Sequence, residues 1–139
     1  GKKLKKKFLS QLPALKQLRK DVQKKSEKGF LRGLDGRRVP VRSKHAALNT
    51  LLQSAGAIIC KRWVVETHRL LKEKGFKCGQ DYSQVAFVHD EIQLTCKEEY
   101  AEEIGKICTS AIIVTGVRYG LRLPLTGEYK VGSNWSETH

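Results

Sequence analysis

Methionine is absent from the 139 residues, so Gly1 is not an initiator and the chain is expected to be a piece of a longer protein. No run of about 18 apolar residues and no charged-then-apolar leader is found, which points away from a membrane and towards a cytoplasmic location. Cysteine is sparse and unpaired in sequence. Cys60, Cys78, Cys96 and Cys108 contain no C-x-x-C spacing, which argues against a zinc ribbon and a disulfide scaffold. They are expected to be reduced and mostly buried. Acids are scarce in the first third: residues 1–44 hold 16 Lys and Arg against three Asp and Glu, whereas residues 45–139 hold 11 of each. The whole net charge of +13 therefore sits at one end. A field of that kind attracts a polyanion by releasing its counterions, without regard to sequence and less so as salt rises. Nucleic acid is the leading candidate, with a solvated basic helix or an acidic membrane surface as alternatives. With 40% hydrophobic composition, the chain suffices for one domain with a modest core.

Leu4, Phe8, Leu12, Leu15, Leu18 and Val22 recur every three or four residues, which predicts one core-facing stripe along a helix or helix pair. Pro13 suits the first turn of the second helix, and Gly29 can end it. Phe30–Gly33 and Arg37–Val41 flank Asp35-Gly36, a strong hairpin signal. Arg37, Arg38 and Arg42 would project from that ribbon, where guanidinium forks suit phosphate oxygens. Ser43 is a plausible N-cap for a helix reaching about Lys74, with Gly75 to stop it. On one stripe of that helix His45, Asn49 and Gln53 stand four apart. Side-chain amides there can donate to minor-groove acceptors, which lie alike for every correct base pair; a polar solvent-facing strip is the alternative. Gly56, in mid-helix, predicts close packing against a neighbour.

Val85–Val88 and Ile92–Cys96 are β-prone runs around His89-Asp90-Glu91, so a bend carrying three ionisable residues is expected in place of Asn-Gly or Asp-Gly. Such a local conflict with turn chemistry marks functional sites. Asp90 and Glu91 offer hard oxygens to a divalent cation such as Mg2+, although an acidic turn can equally be solvated surface. Lys97–Ile104 opens a further helix ending near Gly116 or Gly120, with Glu98, Glu99, Glu102 and Glu103 complementing its dipole. Leu121–Val131 alternates like a strand, with Pro124 placing it near an edge or bulge. The order predicts an α+β fold with helices packed on one face of a small antiparallel sheet.

Phe87-Val88-His89-Asp90-Glu91-Ile92-Gln93 resembles the C motif of family A (Pol I-like) DNA polymerases, and the run from His45 to Ala57 resembles their primer-template helix, in the same order and spacing. Gly132-Ser133-Asn134-Trp135 and terminal His139 resemble how such chains end. The likeness is to the replicative type of T-odd bacteriophages, whose compartment would be the host cytoplasm. It implies an incomplete polymerase palm with part of the fingers: residues 1–42 as a basic helical segment and hairpin from the fingers, and residues 43–139 as a palm portion. It implies DNA-directed nucleotidyl transfer assisted by two Mg2+ ions about 3.5–4 Å apart. Asp90 would be a direct metal ligand, Glu91 a weaker or water-mediated one, and His89 would position the primer terminus. His45, Asn49 and Gln53 would contact DNA. The implied partners are primer-template DNA, deoxynucleoside triphosphates and the missing N-terminal polymerase portion, which carries a second metal-binding Asp and the nucleotide-gripping helix. The isolated chain is expected to be inactive, with an exposed sheet edge inviting self-association. Two other classes remain open on the residues alone: a non-enzymatic basic nucleic-acid-binding module, and a metal-dependent nuclease.

Overall fold

The computed structural model describes residues 2–138; Gly1 and His139 lie outside the described residues. Two compact units part between Ile58 and Ile59, inside the longest helix.

The first unit begins with α1 (Lys2–Gln11) and α2 (Pro13–Lys25). The break falls at Leu12, whose φ of −123° and ψ of 72° are non-helical; a residue before proline is driven out of the α region by the ring, and Pro13 then opens α2 where its missing N–H costs nothing. A 3-10 turn over Ser26–Lys28 ends at Gly29, which turns the chain with φ 80°. The strands β1 (Phe30–Arg32) and β2 (Arg38–Pro40) pair antiparallel, Leu31 opposite Val39. Gly36, at φ 84°, supplies the left-handed step at the tip. Val22, Leu31 and Ala47 form the core, with Val41, Leu48 and Leu51 packed against it.

The expected core-facing stripe is mostly not in that core. Val22 is buried, but Leu4, Phe8, Leu12 and Leu18 are exposed. Among the described residues α1 meets chiefly α2, so an amphipathic face exists without a surface to cover it. The next helix, α3 (Ala47–Glu73), starts later than expected. Ser43 does accept the Ala46 N–H, at 3.3 Å on its hydroxyl, but residues 44–46 form a turn before α3 begins. A Cβ added at Gly56 meets nothing within 4 Å. The close packing expected there is not found among the described residues, because that face of α3 is exposed.

In the second unit, β3 (Tyr82–Val88) and β4 (Glu91–Cys96) pair antiparallel, with a register shift between Gln84 and Ala86 that leaves Val85 as a bulge. A 3-10 turn over Glu98–Tyr100 leads into α4 (Ala101–Arg118). The core joins α3, the hairpin and α4 through Leu71, Tyr82, Ile104, Ile107 and Cys108, with Phe76 and Tyr100 meeting edge to face at 5.2 Å. Burying each large apolar side chain of this set is worth about 1.5–3 kcal/mol. At the base of the hairpin Asp81 accepts from Lys97 Nζ at 2.8 Å and from the Lys77 N–H at 2.9 Å. Only Cys108 of the four cysteines is buried; Cys60 is half-buried, and Cys78 and Cys96 are exposed, because the latter two lie at the open end of the hairpin rather than under α4.

Leu121–Val131 is not a strand. It runs extended along α4 without a ladder: Leu125 packs at Gly116, Gly127 at Ile112, and the Tyr129 ring at Gly105, while the Tyr129 hydroxyl donates to Glu102 at 2.7 Å. Missing side chains on α4 provide the room that a strand neighbour would otherwise offer. Glu137 gathers the end of the chain, accepting from the Ser133 N–H at 2.8 Å and the Asn134 amide at 2.9 Å, beside the short α5 (Trp135–Thr138). The fold is α+β, with its antiparallel structure divided into two separate two-stranded hairpins.

Candidate functional site

Val88 pairs with Glu91, so the bend between β3 and β4 has two residues, His89 and Asp90, and Glu91 is already the first residue of β4 rather than part of the turn. A two-residue loop matches strand twist only with an inverted backbone, hence the usual glycine or asparagine. Here His89 adopts φ 57°, the one non-glycine residue with positive φ among the described residues. Holding a residue there costs of order 1–3 kcal/mol and persists where the surroundings over-determine it; the paired strands on either side do so. His89 and Asp90 are exposed and Glu91 is half-buried, its Oε1 accepting from the Gln93 amide. The hairpin thus holds one open carboxylate at its tip and a second, engaged one beside it.

On α3, burial first, and then the negative charge of Asp90, pushes the Cys60 thiol above its ordinary value, which favours the neutral SH. Further along α3, His68 bridges to β3: its Nδ1 is 2.9 Å from the Tyr82 hydroxyl and its Nε2 is 3.1 Å from Gln84 Oε1. An amide oxygen only accepts, so Nε2 donates to Gln84. Trp63 donates its indole N–H to the Cys108 carbonyl at 2.7 Å, tying α3 to α4. Glu66 is fully buried and faces Arg62, Arg69 and Arg118, each at 2.7 Å. Burial raises its pKa, but hydrogen bonds from Arg69 and Arg62 and the charge of Arg118 outweigh that, holding the carboxyl below the ordinary range.

In the first unit, Asn49 and Gln53 lie one turn apart on α3, both exposed, whereas His45 falls in the turn that precedes the helix. The expected three-residue helical stripe is therefore a helical pair preceded by a turn residue. Of the ribbon arginines, Arg37 is held by Asp35 at 2.6 Å and Arg38 lies 3.9 Å over the Phe30 ring; Arg42 is exposed. Among the described residues no group of three or more His, Cys, Asp or Glu stands ready to hold a metal ion.

Residues 1–137 match the family model of DNA polymerase family A. The chain belongs to that family. Its relatives include the DNA-directed DNA polymerases of Enterobacteria phage T3 and Escherichia phage T7, each 44% identical over 157 aligned positions that cover all of this chain and 22% of the phage protein. DNA polymerase I of Aquifex aeolicus is 30% identical over 137 positions, covering 96% of the chain and 23% of that protein. The chain thus spans about a fifth of the length of these relatives.

In this family A chain, sequence reading singled out His89, Asp90 and Glu91 but not Cys60, Glu66 or His68. The spacing of His68 from Tyr82 and Gln84 carries no signal before the hairpin is placed against α3. Glu66 could have been flagged by its flanking arginines at positions 62 and 69, although that pattern reads equally as an exposed helix face.

Proposed function

We propose that this chain is the C-terminal part of a template-directed DNA polymerase, contributing one metal-binding carboxylate and part of the DNA-contacting surface to an active site completed by the rest of the protein. The observation that carries the reading is an exposed Asp90 on a strained two-residue turn, in a chain whose family match is continuous through residue 137. A carboxylate on a paired hairpin is pre-positioned, which is what charge neutralisation in phosphoryl transfer requires.

The donor chemistry fits Mg2+, a hard cation that takes carboxylate oxygens, but the number of donors does not make a whole site. Asp90 would hold the metal and Glu91 would act beside it or through water. Bound Mg2+ would supply Lewis acidity and charge neutralisation at the transferring phosphoryl group. His89 would orient the primer terminus. Asn49 and Gln53 would donate to minor-groove acceptors, with His45 and Arg42 adding contacts to the backbone. Arg37 and Arg38 would contribute through their charge, each already engaged within the ribbon. The substrates would be primer-template DNA and deoxynucleoside triphosphates. The remaining ligands would come from the upstream portion of the polymerase, and the open edges of the β3–β4 hairpin would suit a further strand from that portion or self-association.

The test is primer extension with Mg2+ and deoxynucleotides by this chain mixed with a matching upstream portion of a phage-type polymerase, beside each half alone and the mixture carrying Asp90→Ala. Extension should need both halves and fall at least ~1000-fold with the substitution, as befits loss of a metal ligand worth several kcal/mol in the transition state. Extension indifferent to Asp90→Ala would instead leave a basic DNA-binding module whose hairpin is only a turn.

A further inference from the structure

Among the described residues a row of cations with no internal use lies on α2. Lys16, Arg19, Lys20 and Lys24 recur at spacings of three and four along that helix; Arg19 is half-buried and the others exposed. None of the four forms an ion pair among the described residues. The acids of this unit are spoken for elsewhere: Asp21 accepts from the Gln17 amide at 2.9 Å, Glu27 holds Lys44 at 2.7 Å with Lys24 a lesser influence on it, and Asp35 holds Arg37 at 2.6 Å. Lys16 and Lys20, and again Lys20 and Lys24, are like-charged pairs at i,i+4, which weaken a helix. Lys24, in the last turn, complements the helix dipole, but helix stability does not account for Lys16, Arg19 and Lys20.

From this we infer that the α2 stripe is a docking surface for the phosphodiester backbone of a DNA strand. Lys16 to Lys24 covers about 12 Å of helix axis, long enough to meet successive phosphates of one strand. Flexible ammonium groups with no internal partner are free to follow such a strand, whereas Arg37 and Arg38 are already committed to Asp35 and Phe30. The surface reads no sequence, since phosphate contacts position rather than specify. The choice of DNA over another polyanion rests on the proposed function, but the stripe itself does not.

The test is fluorescence anisotropy of this chain with a labelled single-stranded oligonucleotide, without metal or nucleotide, as NaCl is raised from about 50 to about 200 mM. The comparison is with the combined Lys16→Gln, Arg19→Gln, Lys20→Gln, Lys24→Gln variant. Its log-log salt slope should be shallower by about 0.7 per lost contact, about 2–3 in all, with affinity at low salt down at least ~10-fold. A charge-matched control, Lys61→Gln, Lys72→Gln, Lys74→Gln, Lys106→Gln, should keep the original slope, and so should Lys16→Arg, Lys20→Arg, Lys24→Arg. If circular dichroism shows the combined variant unfolded, the Lys16→Gln, Lys20→Gln and Lys20→Gln, Lys24→Gln pairs are read instead, each expected to lower the slope by about 1.4. Equal losses in stripe and control variants, an unchanged slope in the stripe variant, no DNA binding at low salt, or tighter binding to anionic vesicles or a polyglutamate peptide of equal charge would each overturn the assignment. Because no catalysis is read, failure here is distinct from failure of the Asp90→Ala extension test.

Discussion

A Cβ built on Gly105 falls 2.3 Å from Cδ2 of Tyr129, so the ring occupies the place that any side chain at position 105 of α4 would need. The same segment is fixed again where Leu125 meets Gly116 and where the Tyr129 hydroxyl reaches Glu102 at 2.7 Å. Two glycines on one helix thus define the track of residues 121–131.

Gly105→Ala should therefore destabilise the chain although alanine favours helix. Overpacking typically costs about 1–3 kcal/mol, against a propensity gain of about 1 kcal/mol. The net loss, read by urea denaturation, should be relieved when Tyr129→Ala is added. A Gly105→Ala variant more stable than the parent would show that the segment does not dock.

Glu66→Gln should cost about 1.5–3 kcal/mol, the range for hydrogen bonds to charged groups; the partly exposed arginines can turn to water, which keeps the loss from being larger. The substitution should also change the acid response. A carboxyl held below its ordinary value of 4.5 contributes its stability in full above that value and loses it as pH falls through the folded pKa. The parent should thus lose stability as pH drops below about 4.5, and Glu66→Gln should show a flatter profile there in pH-dependent melts. Asp81, also lowered by its bond with Lys97, will leave a residual slope.

Thr67 is almost wholly buried, and its hydroxyl finds no hydrogen-bond partner among the described residues. Thr67→Val keeps the shape and removes an unsatisfied polar atom, whose burial costs about 1–3 kcal/mol. Thermal unfolding should show the variant at least as stable as the parent, and more stable by up to about that amount.

His89→Gly should relieve the left-handed backbone at the hairpin tip, where φ is 57°. The gain is set at about 0.5–1 kcal/mol by the lower penalty of glycine there, less its greater unfolded-state entropy. Asp90→Ala, at an exposed turn position, should leave the melting temperature nearly unchanged. A large loss of stability in Asp90→Ala would mean that any loss of extension cannot be ascribed to the proposed metal-binding role of Asp90.

Several elements were legible because their cause is local. Asp35-Gly36 forces a turn whatever surrounds it, and β1 and β2 pair about it as expected. Pro13 and Gly29 punctuate the chain through their own backbone limits, and both do so here. The β-prone runs around His89 and Asp90 make a hairpin, although its turn proved one residue shorter than the three ionisable residues suggested. Leu121–Val131 misled because alternation only says that every second residue is half-sheltered. The shelter is α4, entered at Gly105 and Gly116, and Gly116 had been a candidate helix end rather than a place of close approach.

What the sequence by itself determined is the order of elements as far as α4, the concentration of charge in residues 1–44, and the carrying of Asp90 at a hairpin tip, because periodicity, turn chemistry and charge counts depend on neighbours in the chain. Tertiary structure alone decided which cations are spent and which remain: Arg37 goes to Asp35 and Arg38 to Phe30, while the α2 stripe keeps its charge. It alone buried Glu66 beneath Arg118, 52 positions away. Ion pairing and desolvation depend on distances across several ångströms of space, and separation along the chain does not encode those distances.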